Sequence, residues 1–199
     1  MMAVVDSIGH LKGCATMIQS RTNDARPDAR RAFIDAMRIV ANSVTVVTTD
    51  GPGGLQGATV SAFSSVSADP PTILVCLRSQ SRIAQAVAEN GAFCVNVLPQ
   101  YAQEIAERFA GGQDARFSNR FEGIGYECEP GSLPILHGAT AFLCGIEQIV
   151  TSGSHRIFIG QVRNVRRGTP EPLTYFDGGY HRVVPQNAVT DCSHPSSRA

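Results

Sequence analysis

Short segments rich in β-branched and other apolar residues, separated by turn signals, make up most of this sequence. Ser43–Thr49 is typical, because β-branched side chains pack well on a pleated sheet. The Asp50–Gly54 cluster then ends it as a turn. The further segments predicted as strands are Ala58–Ser65, Thr72–Leu77, Phe93–Leu98, Thr140–Thr151 and Arg156–Arg166. Many strands at hairpin-like spacing, with few helices, predict a mainly β fold: an antiparallel barrel or sandwich with peripheral helices.

The two longest of these segments are predicted to pair as a hairpin, with Ser152–Ser154 as the turn. Side chains alternate between the two faces of a strand. The first strand is therefore predicted to place on one side Phe142, Cys144, Ile146, Gln148 and Val150. The second is predicted to separate Ile157 and Ile159 from Phe158 and Val162.

Three segments are predicted as helices. Asp28 is a suitable N-cap for a helix to about Ala41, with Phe33, Met37 and Val40 on one face. The other two are Arg82–Glu89, which Asn90-Gly91 ends, and Ala102–Phe109. We interpret residues 1–27 as a flexible or partly helical extension, 28–184 as a single domain and 185–199 as a mobile tail.

Composition excludes several classes of protein. Lys plus Arg number 17 and Asp plus Glu number 17, and this balance argues against an electrostatic nucleic-acid binder. No apolar run approaches the ~20 residues of a membrane-spanning helix, and the N-terminus lacks the layout of a secretory signal. The six cysteines show neither a C-x-x-C pair nor metal-ligand spacing, so no metal site is predicted and the cytoplasm is the expected location.

The glycine cluster Gly51–Gly57 resembles a dinucleotide-binding loop only superficially. Gln56 occupies the third glycine position of G-x-G-x-x-G and no helix follows, so a hairpin turn is the better interpretation.

The hydroxyl-rich segment Gly57–Ser67 is a candidate ligand-binding strand. Thr59, Ser61 and Ser64 are candidates for hydrogen bonds to a flat polar ligand, and Phe63 offers an apolar face. A serine-rich strand on a solvated sheet face explains the same pattern equally well, and both interpretations stay open.

Cys76–Arg82 leads from a predicted buried strand into a predicted helix. The N-terminus of a helix presents free N–H groups and the positive end of its dipole, which favour phosphate. Ser79 or Ser81 can cap this helix, while Arg78 or Arg82 adds positive charge. The alternative is an ordinary serine cap beside solvated arginines, and the two remain comparable.

No histidine is identified as catalytic from its local pattern. His155 follows the predicted hairpin turn, and His137 and His181 lie in equally uninformative surroundings. No three histidines have metal-site spacing, and no G-x-S-x-G elbow supports a hydrolase triad.

Several segments in a fixed order nevertheless resemble one family. They include the following: Phe33-x-x-Ala36-Met-Arg38, Ser43–Thr49, Gly57–Pro71, Leu74–Cys76, Phe93–Leu98, Arg108–Ala110, Gly153–His155 with Gly160, Pro172–Phe176, and Gly179-Tyr180. Over about Phe33 to Arg182 the chain resembles the short-chain flavin reductases, which are reductase components of two-component flavin monooxygenases. The resemblance implies an antiparallel, Greek-key split β-barrel of the FMN-binding type.

The resemblance also implies where the ligands bind. The residues implied around the isoalloxazine and ribityl chain are Leu55, Gln56, Gly57, Ala58, Thr59, Ser61 and Ala62. Those implied toward the phosphate are Cys76, Leu77, Arg78, Ser79, Gln80, Ser81, Arg82 and Ile83, and Arg108 and Phe109 approach from the second helix. Gly153, Ser154 and His155 take the place near the nicotinamide, with His155 as the catalytic residue; Ser154 stands where the family usually has Asp.

The activity implied by the resemblance is NAD(P)H:flavin oxidoreduction. NADH, or alternatively NADPH, delivers a hydride to FMN or FAD, and the reduced flavin leaves for a separate flavin-dependent monooxygenase. The family also implies a homodimer. Two other hypotheses remain: a split-barrel protein that carries flavin without turnover, and a purely structural domain that binds none.

Overall fold

The computed structural model describes residues 27–128 and 132–186. The strands are β1 (Asn42–Ser43), β2 (Thr45–Thr49), β3 (Gln56–Val60), β4 (Phe63–Ala68), β5 (Pro71–Arg78), β6 (Ala92–Val97), β7 (Tyr126–Glu127), β8 (Ile135–Leu136), β9 (Thr140–Ser152), β10 (His155–Arg166), β11 (Leu173–Phe176) and β12 (Gly179–Arg182). The helices are α1 (Pro27–Arg38), α2 (Arg82–Asn90) and α3 (Gln103–Phe109). The predicted extension and tail lie outside the described residues, apart from Pro27, Pro185 and Gln186.

The main sheet has seven antiparallel strands in the order β3-β2-β6-β9-β10-β5-β4. Its two edge strands, β3 and β4, are consecutive in the sequence and are joined through Ser61 and Ala62. The Cys76 N–H of β5 donates to the Ala62 carbonyl at 3.0 Å. The two-residue link that leaves β3 therefore contacts β5, which lies at the opposite side of the sheet from β3 in the strand order. The sheet therefore curls into an antiparallel split barrel with peripheral helices, which confirms the predicted fold class.

The core consists of two apolar clusters separated by β2, every residue of which is buried. Val47 belongs to the cluster between the sheet and α2, which also contains Phe93 and Phe158. Val46 belongs to the other cluster, with Leu98 and the α3 residue Phe109. Because alternate side chains of β2 enter opposite clusters, this strand connects the barrel interior to the layer around α3.

The predicted strand Ala58–Ser65 is wrong, because the chain forms two strands there. β3 ends at Val60 and β4 begins at Phe63. Between them, the Phe63 N–H donates to the Ser61 carbonyl at 3.0 Å, which turns the chain from one edge of the sheet toward the other. Hydroxyl-rich composition gave no signal of this turn.

The alternation predicted for Thr140–Thr151 holds only over its first half. Phe142, Cys144 and Ile146 all pack in the barrel cluster, as predicted. The register then shifts between Ile159 and Gly160, where Ile146 pairs with Gly160 and Gln148 with Ile159. The extra residue in the bulge moves Gln148 and Val150 to the other face, so that part of the prediction is wrong. In β10, Phe158 and Val162 share the core side as predicted.

Helix α1 ends at Arg38, three residues before the predicted end. Its last carbonyl accepts a hydrogen bond from the Asp177 N–H at 2.8 Å, and the Arg38 guanidinium lies 3.5 Å from the Asp177 carboxylate. The chain then leaves the helix to pair with β11. The apolar face predicted for α1 is exposed: Phe33 is 65% and Met37 46% accessible.

The hairpin of β11 and β12 was not predicted from the sequence. Its turn is Asp177-Gly178, with φ of 45° and 82°. Two consecutive positive φ angles are characteristic of the two-residue turns that join paired strands, and Asp-Gly is a preferred sequence for them. That dipeptide was therefore an available signal.

Arg120 fastens the connection between α3 and β7. It donates to the carbonyls of Phe109 at 2.8 Å and Gly57 at 3.2 Å, and it makes two hydrogen bonds to the Asp114 carboxylate at 2.7 and 2.8 Å. One guanidinium thus ties an irregular segment to both α3 and β3.

Gly160 provides a test of barrel packing. A Cβ at this position would lie 2.7 Å from the Phe93 ring and 3.0 Å from the Cys144 Cβ. Gly160→Ala should lower the free energy of unfolding by about 1–3 kcal/mol, because a filled core tolerates an added methyl poorly. Urea unfolding measures this, with Gly112→Ala as the matched control, since its nearest contact would be an ordinary 3.7 Å. Equal stabilities of the two variants would contradict the packing described.

Asp114 provides a test of the Arg120 contacts. The Arg120 guanidinium holds the pKa of the Asp114 carboxyl below its usual value, mainly through their hydrogen bonds. Arg120→Ala should return that pKa toward the ordinary range in an NMR titration, whereas Arg116→Ala should leave it low. Because the carboxyl is 41% exposed, the pair contributes less than about 1 kcal/mol.

The pH dependence of this contribution has a definite sign. A pKa that is lower in the folded state stabilises the protein at pH above the unfolded value and loses that effect as pH falls through the folded value. The advantage of the wild type over Asp114→Asn in urea unfolding should therefore be full above about pH 4 and decline in more acidic solution.

Candidate functional site

A cavity of about 750 Å³ opens between the barrel, the N-terminus of α2 and the C-terminus of α3. Its volume is within the range of small-molecule and cofactor sites. Eleven predicted residues line it: Ala58, Thr59, Ser61, Ala62, Cys76, Leu77, Arg78, Ser81, Ile83, Phe109 and His155. The fold thus brings β3, β5, α2, α3 and the start of β10 to one site.

A second cavity, of about 270 Å³, adjoins the first. The predicted residues Leu55, Gln56, Gly57 and Arg82 line it. Ala58, Ser81, Ile83 and Arg120 line both cavities, so the two spaces meet beside the N-terminus of α2.

Of the residues that the family resemblance implies, five line neither cavity: Ser79, Gln80, Arg108, Gly153 and Ser154. Ser79 and Ser154 adjoin Arg78 and His155, which line the larger cavity, and the Ser79 N–H donates to the Ser154 carbonyl at 3.0 Å. Arg108 is engaged elsewhere: its guanidinium carbon stacks 3.2 Å from the centroid of the Phe117 ring.

The N-terminus of α2 has the features of an anion site. The Ser81 hydroxyl caps the helix by accepting from the Ala84 N–H at 3.3 Å and donates to the Arg78 carbonyl at 2.7 Å. The first turn contains no acidic residue, and the cations Arg78 and Arg82 flank the cap. Ser79 Oγ is the one buried side-chain polar atom in residues 27–128 and 132–186 with no hydrogen-bond partner. An anion here would meet the positive end of the helix dipole and two guanidinium groups.

The hydroxyl-rich segment contributes differently from the expectation. Thr59 lines the larger cavity, but its hydroxyl donates to the Ala106 carbonyl at 2.6 Å and so ties β3 to α3. Ser64 is exposed on β4 and lines neither cavity. The Phe63 ring packs 6.0 Å from Phe142 in the core instead of facing a ligand. Only Thr59 and Ser61 of the named hydroxyl residues remain at the site.

Aromatic side chains missed by sequence analysis complete the larger cavity. Tyr175 and Tyr180, from the β11–β12 hairpin, line it and meet edge to face at 5.4 Å. Burial is the main cause of a raised pKa for the Tyr180 hydroxyl, which stays protonated at neutral pH. These rings add an apolar wall that a planar ligand can contact.

Phe109 forms another part of this wall, and its position depends on Gly57. The Phe109 ring packs against Phe121 at 4.9 Å. A Cβ on Gly57 would lie 2.5 Å from that ring, so a side chain at position 57 is excluded while the ring keeps its place.

Of the three histidines considered from the sequence, only His155 lines the larger cavity. It pairs with Arg78 across the β10–β5 ladder, and Ser154 Oγ lies 3.0 Å from its Nδ1. His137 lies beside Gly125, and the His181 ring packs 5.6 Å from Phe176. The geometry therefore selects His155 as the histidine that a bound ligand can reach.

Among the described residues, no group of three or more His, Cys, Asp or Glu side chains is arranged to hold a metal ion. None of the described helices combines the length and apolar character needed to cross a bilayer. Burial raises the pKa of the Cys94 and Cys144 thiols to about 12, so neither is a nucleophile at neutral pH.

Comparison with known proteins agrees with this geometry. The model of the flavin reductase like domain family matches residues 37–184. The chain is 37% identical over 154 residues to the FMN reductase (NADH) RutF of Pseudomonas syringae pv. syringae, covering 76% of this chain and 85% of that protein. It is 33% identical over 156 residues to the 4-hydroxyphenylacetate 3-monooxygenase reductase component of Pseudomonas aeruginosa, covering 77% and 92%.

A solved structure shows the same fold. The NADH:FAD oxidoreductase SgcE6 of Streptomyces globisporus, in complex with NAD and FAD fragments, superposes with a TM-score of 0.72 at 27% identity, over 81% of this chain and 96% of that one. The family match spans well over half of the chain, and it includes the strands and helices that form both cavities. The chain therefore belongs to the flavin reductase like domain family.

Proposed function

We propose that this protein is an NADH-dependent flavin reductase that transfers a hydride to FMN and releases the reduced flavin to a separate monooxygenase. The observation that carries the proposal is the larger cavity, which joins an anion-binding helix terminus to an aromatic wall. A relative of this family is named as an FMN reductase that uses NADH and another as the reductase component of a monooxygenase. Both names agree with a cavity of this construction.

The residues present fit a flavin mononucleotide. At the α2 end, Ser79, Ser81 and the flanking arginines supply the donors and positive charge that a phosphate requires. At the other end, Ser61, Ala62 and Phe109 border a space suited to a planar ring system. An open cavity that holds its ligand mainly through hydroxyl and backbone groups suits a flavin that leaves after reduction.

The residues of this chain supply binding and orientation. When bound, FMN supplies the N5 atom that accepts the hydride of NADH. The helix terminus anchors the phosphate, and the walls fix the plane of the ring so that the nicotinamide can approach it closely. We assign His155, which pairs with Arg78 across the β10–β5 ladder, to the entrance, where it contacts NADH. Ser154 contacts the His155 ring directly and orients it in place of the usual Asp.

Several finer assignments belong to this proposal. NADH is preferred over NADPH, residues 28–184 form the catalytic domain, and the protein acts in the cytoplasm. It acts as a homodimer, for which the exposed apolar face of α1 is a suitable contact surface.

The proposal is tested first by the oxidation of NADH. Purified protein should consume NADH, followed at 340 nm, at a rate that saturates with added FMN, because a finite number of cavities bind the flavin. The control is the same mixture without protein, which reports the direct reaction of NADH with free flavin. Flavin that stays bound without NADH oxidation would indicate a carrier, and the absence of flavin binding would contradict both functions.

The placement of His155 is tested separately. His155→Ala should raise the KM for NADH by about tenfold while changing the Kd for FMN by less than about twofold, which corresponds to the loss of about 1.4 kcal/mol of binding to one ligand. His181→Ala is the matched control, since that ring lies against Phe176 and should leave both constants unchanged. Equal losses for NADH and FMN would show that His155 does not lie at the nicotinamide.

A further inference from the structure

We infer that Asp114 controls the release of reduced flavin. Its carboxylate offsets the charge of Arg120 beside the larger cavity, so the negative charge that the flavin ring gains on reduction meets no unbalanced cation there. Asp114 acts through Arg120 and is a positioning residue for the reaction. This inference rests on the proposed function, because it takes the flavin to lie in the larger cavity with its phosphate at the N-terminus of α2.

The side chains that line the two cavities carry few fixed charges. Among the described residues that line either cavity, three are arginines, namely Arg78, Arg82 and Arg120, and only Asp114 carries a carboxylate. Arg78 and Arg82 flank the cap of α2, where the proposed function puts the phosphate. A phosphate monoester carries about two negative charges at neutral pH, so these two guanidinium groups balance it. Arg120 is the remaining cation, and Asp114 is the anion that balances it.

Hydrogen bonds fix the guanidinium of Arg120 on two sides. It makes two hydrogen bonds to the Asp114 carboxylate, at 2.7 and 2.8 Å, and its Nη1 also donates to the carbonyls of Phe109 and Gly57. The hydrogen bonds from Arg120, with the nearby charge of Arg82, hold the pKa of the Asp114 carboxyl below its usual value, so it is ionised at neutral pH. Loss of the carboxylate charge would leave the guanidinium anchored by the two carbonyls, with its positive charge no longer offset.

Hydride transfer changes the charge of the flavin ring. A C–H bond of the nicotinamide breaks, a bond from that hydrogen to N5 forms, and both electrons move with it, so NADH becomes NAD⁺ and the ring gains one negative charge. A cation nearby would favour this charged form. In this cavity the added charge meets a neutral pair of Arg120 and Asp114 instead. The site therefore binds reduced flavin less tightly than oxidised flavin, which favours its release to a separate enzyme.

The experiment compares the Kd values for oxidised and reduced FMN in each variant. Flavin fluorescence gives the first and anaerobic equilibrium dialysis the second, and the ratio of the reduced to the oxidised value is the readout. Both forms carry the same phosphate, so a general change in affinity cancels in this ratio. Asp114→Asn should lower the ratio about three- to tenfold, because an unbalanced cation attracts the reduced ring. The midpoint potential of bound FMN should rise by about 15–30 mV, since a tenfold change in a two-electron equilibrium corresponds to about 30 mV.

Two further variants separate the charge of Asp114 from other effects. Asp114→Glu keeps a carboxylate within reach of Arg120 and should stay close to the wild-type ratio. Asp35→Asn is the matched control, because it removes a carboxylate 3.9 Å from Arg31 on α1 and lines neither cavity. It should leave the ratio unchanged. Since the pair of Asp114 and Arg120 contributes less than about 1 kcal/mol to stability, Asp114→Asn is expected to fold.

A second measurement uses the wild-type protein, so it does not depend on the folding of a variant. The midpoint potential of bound FMN should lie below that of free FMN, because the reduced form binds more weakly. A potential equal to or above that of free FMN, or an unchanged ratio in Asp114→Asn, would overturn the inference while leaving the proposed function intact. Failure of the wild type to bind flavin would instead contradict the proposed function itself.

Discussion

The burial of β2 on both faces is the constraint on which the rest of the structure depends. A strand between two apolar clusters must still satisfy its polar groups, because an unpaired buried donor costs about 1–3 kcal/mol. The Thr45 hydroxyl donates to the Val60 carbonyl and the Thr49 hydroxyl to the Ala92 carbonyl. The Asn96 amide, also fully buried, donates to β2 and accepts from the Leu136 N–H at 2.9 Å. These bonds position β3, the first wall of the site, and connect the barrel to the α3 layer.

Much of the fold was predictable because it depends on local signals. The strands β2, β5 and β6 lie within or close to their predicted bounds, and helix α2 begins and ends at its predicted cap signals. The errors arose where a single residue changes the direction of the chain. The bulge in β9, where Glu147 is the unpaired residue between Ile146 and Gln148, and the turn at Ser61 depend on pairing with distant strands. No period in the sequence reveals them.

The site was predictable only in part, for a related reason. The serines before α2 lie within one short segment of the sequence, and the cavity-lining residues of β3 lie within another. The family resemblance could therefore assign each segment as a whole. Arg120 comes from an irregular connection without a pattern, and it reaches the site only because α3 and β3 place two carbonyls within its range. Tyr180 lies on a hairpin whose Asp177-Gly178 turn does have a sequence signal, but no pattern shows that this hairpin returns to the site. Such residues are assembled by tertiary structure, which single-sequence patterns do not encode.

The contact between Gly57 and Phe109 limits how this chain can vary. The two positions lie on different elements, yet a methyl group at position 57 would occupy the space of the Phe109 ring. A larger residue at position 57 is therefore compatible only with a smaller one at 109, and the Phe121 ring would keep its edge-to-face contact with Tyr126 but lose the one with Phe109. Substitutions at the three positions are accordingly expected to be interdependent, and a library that randomises one of them alone would sample mostly unfavourable sequences.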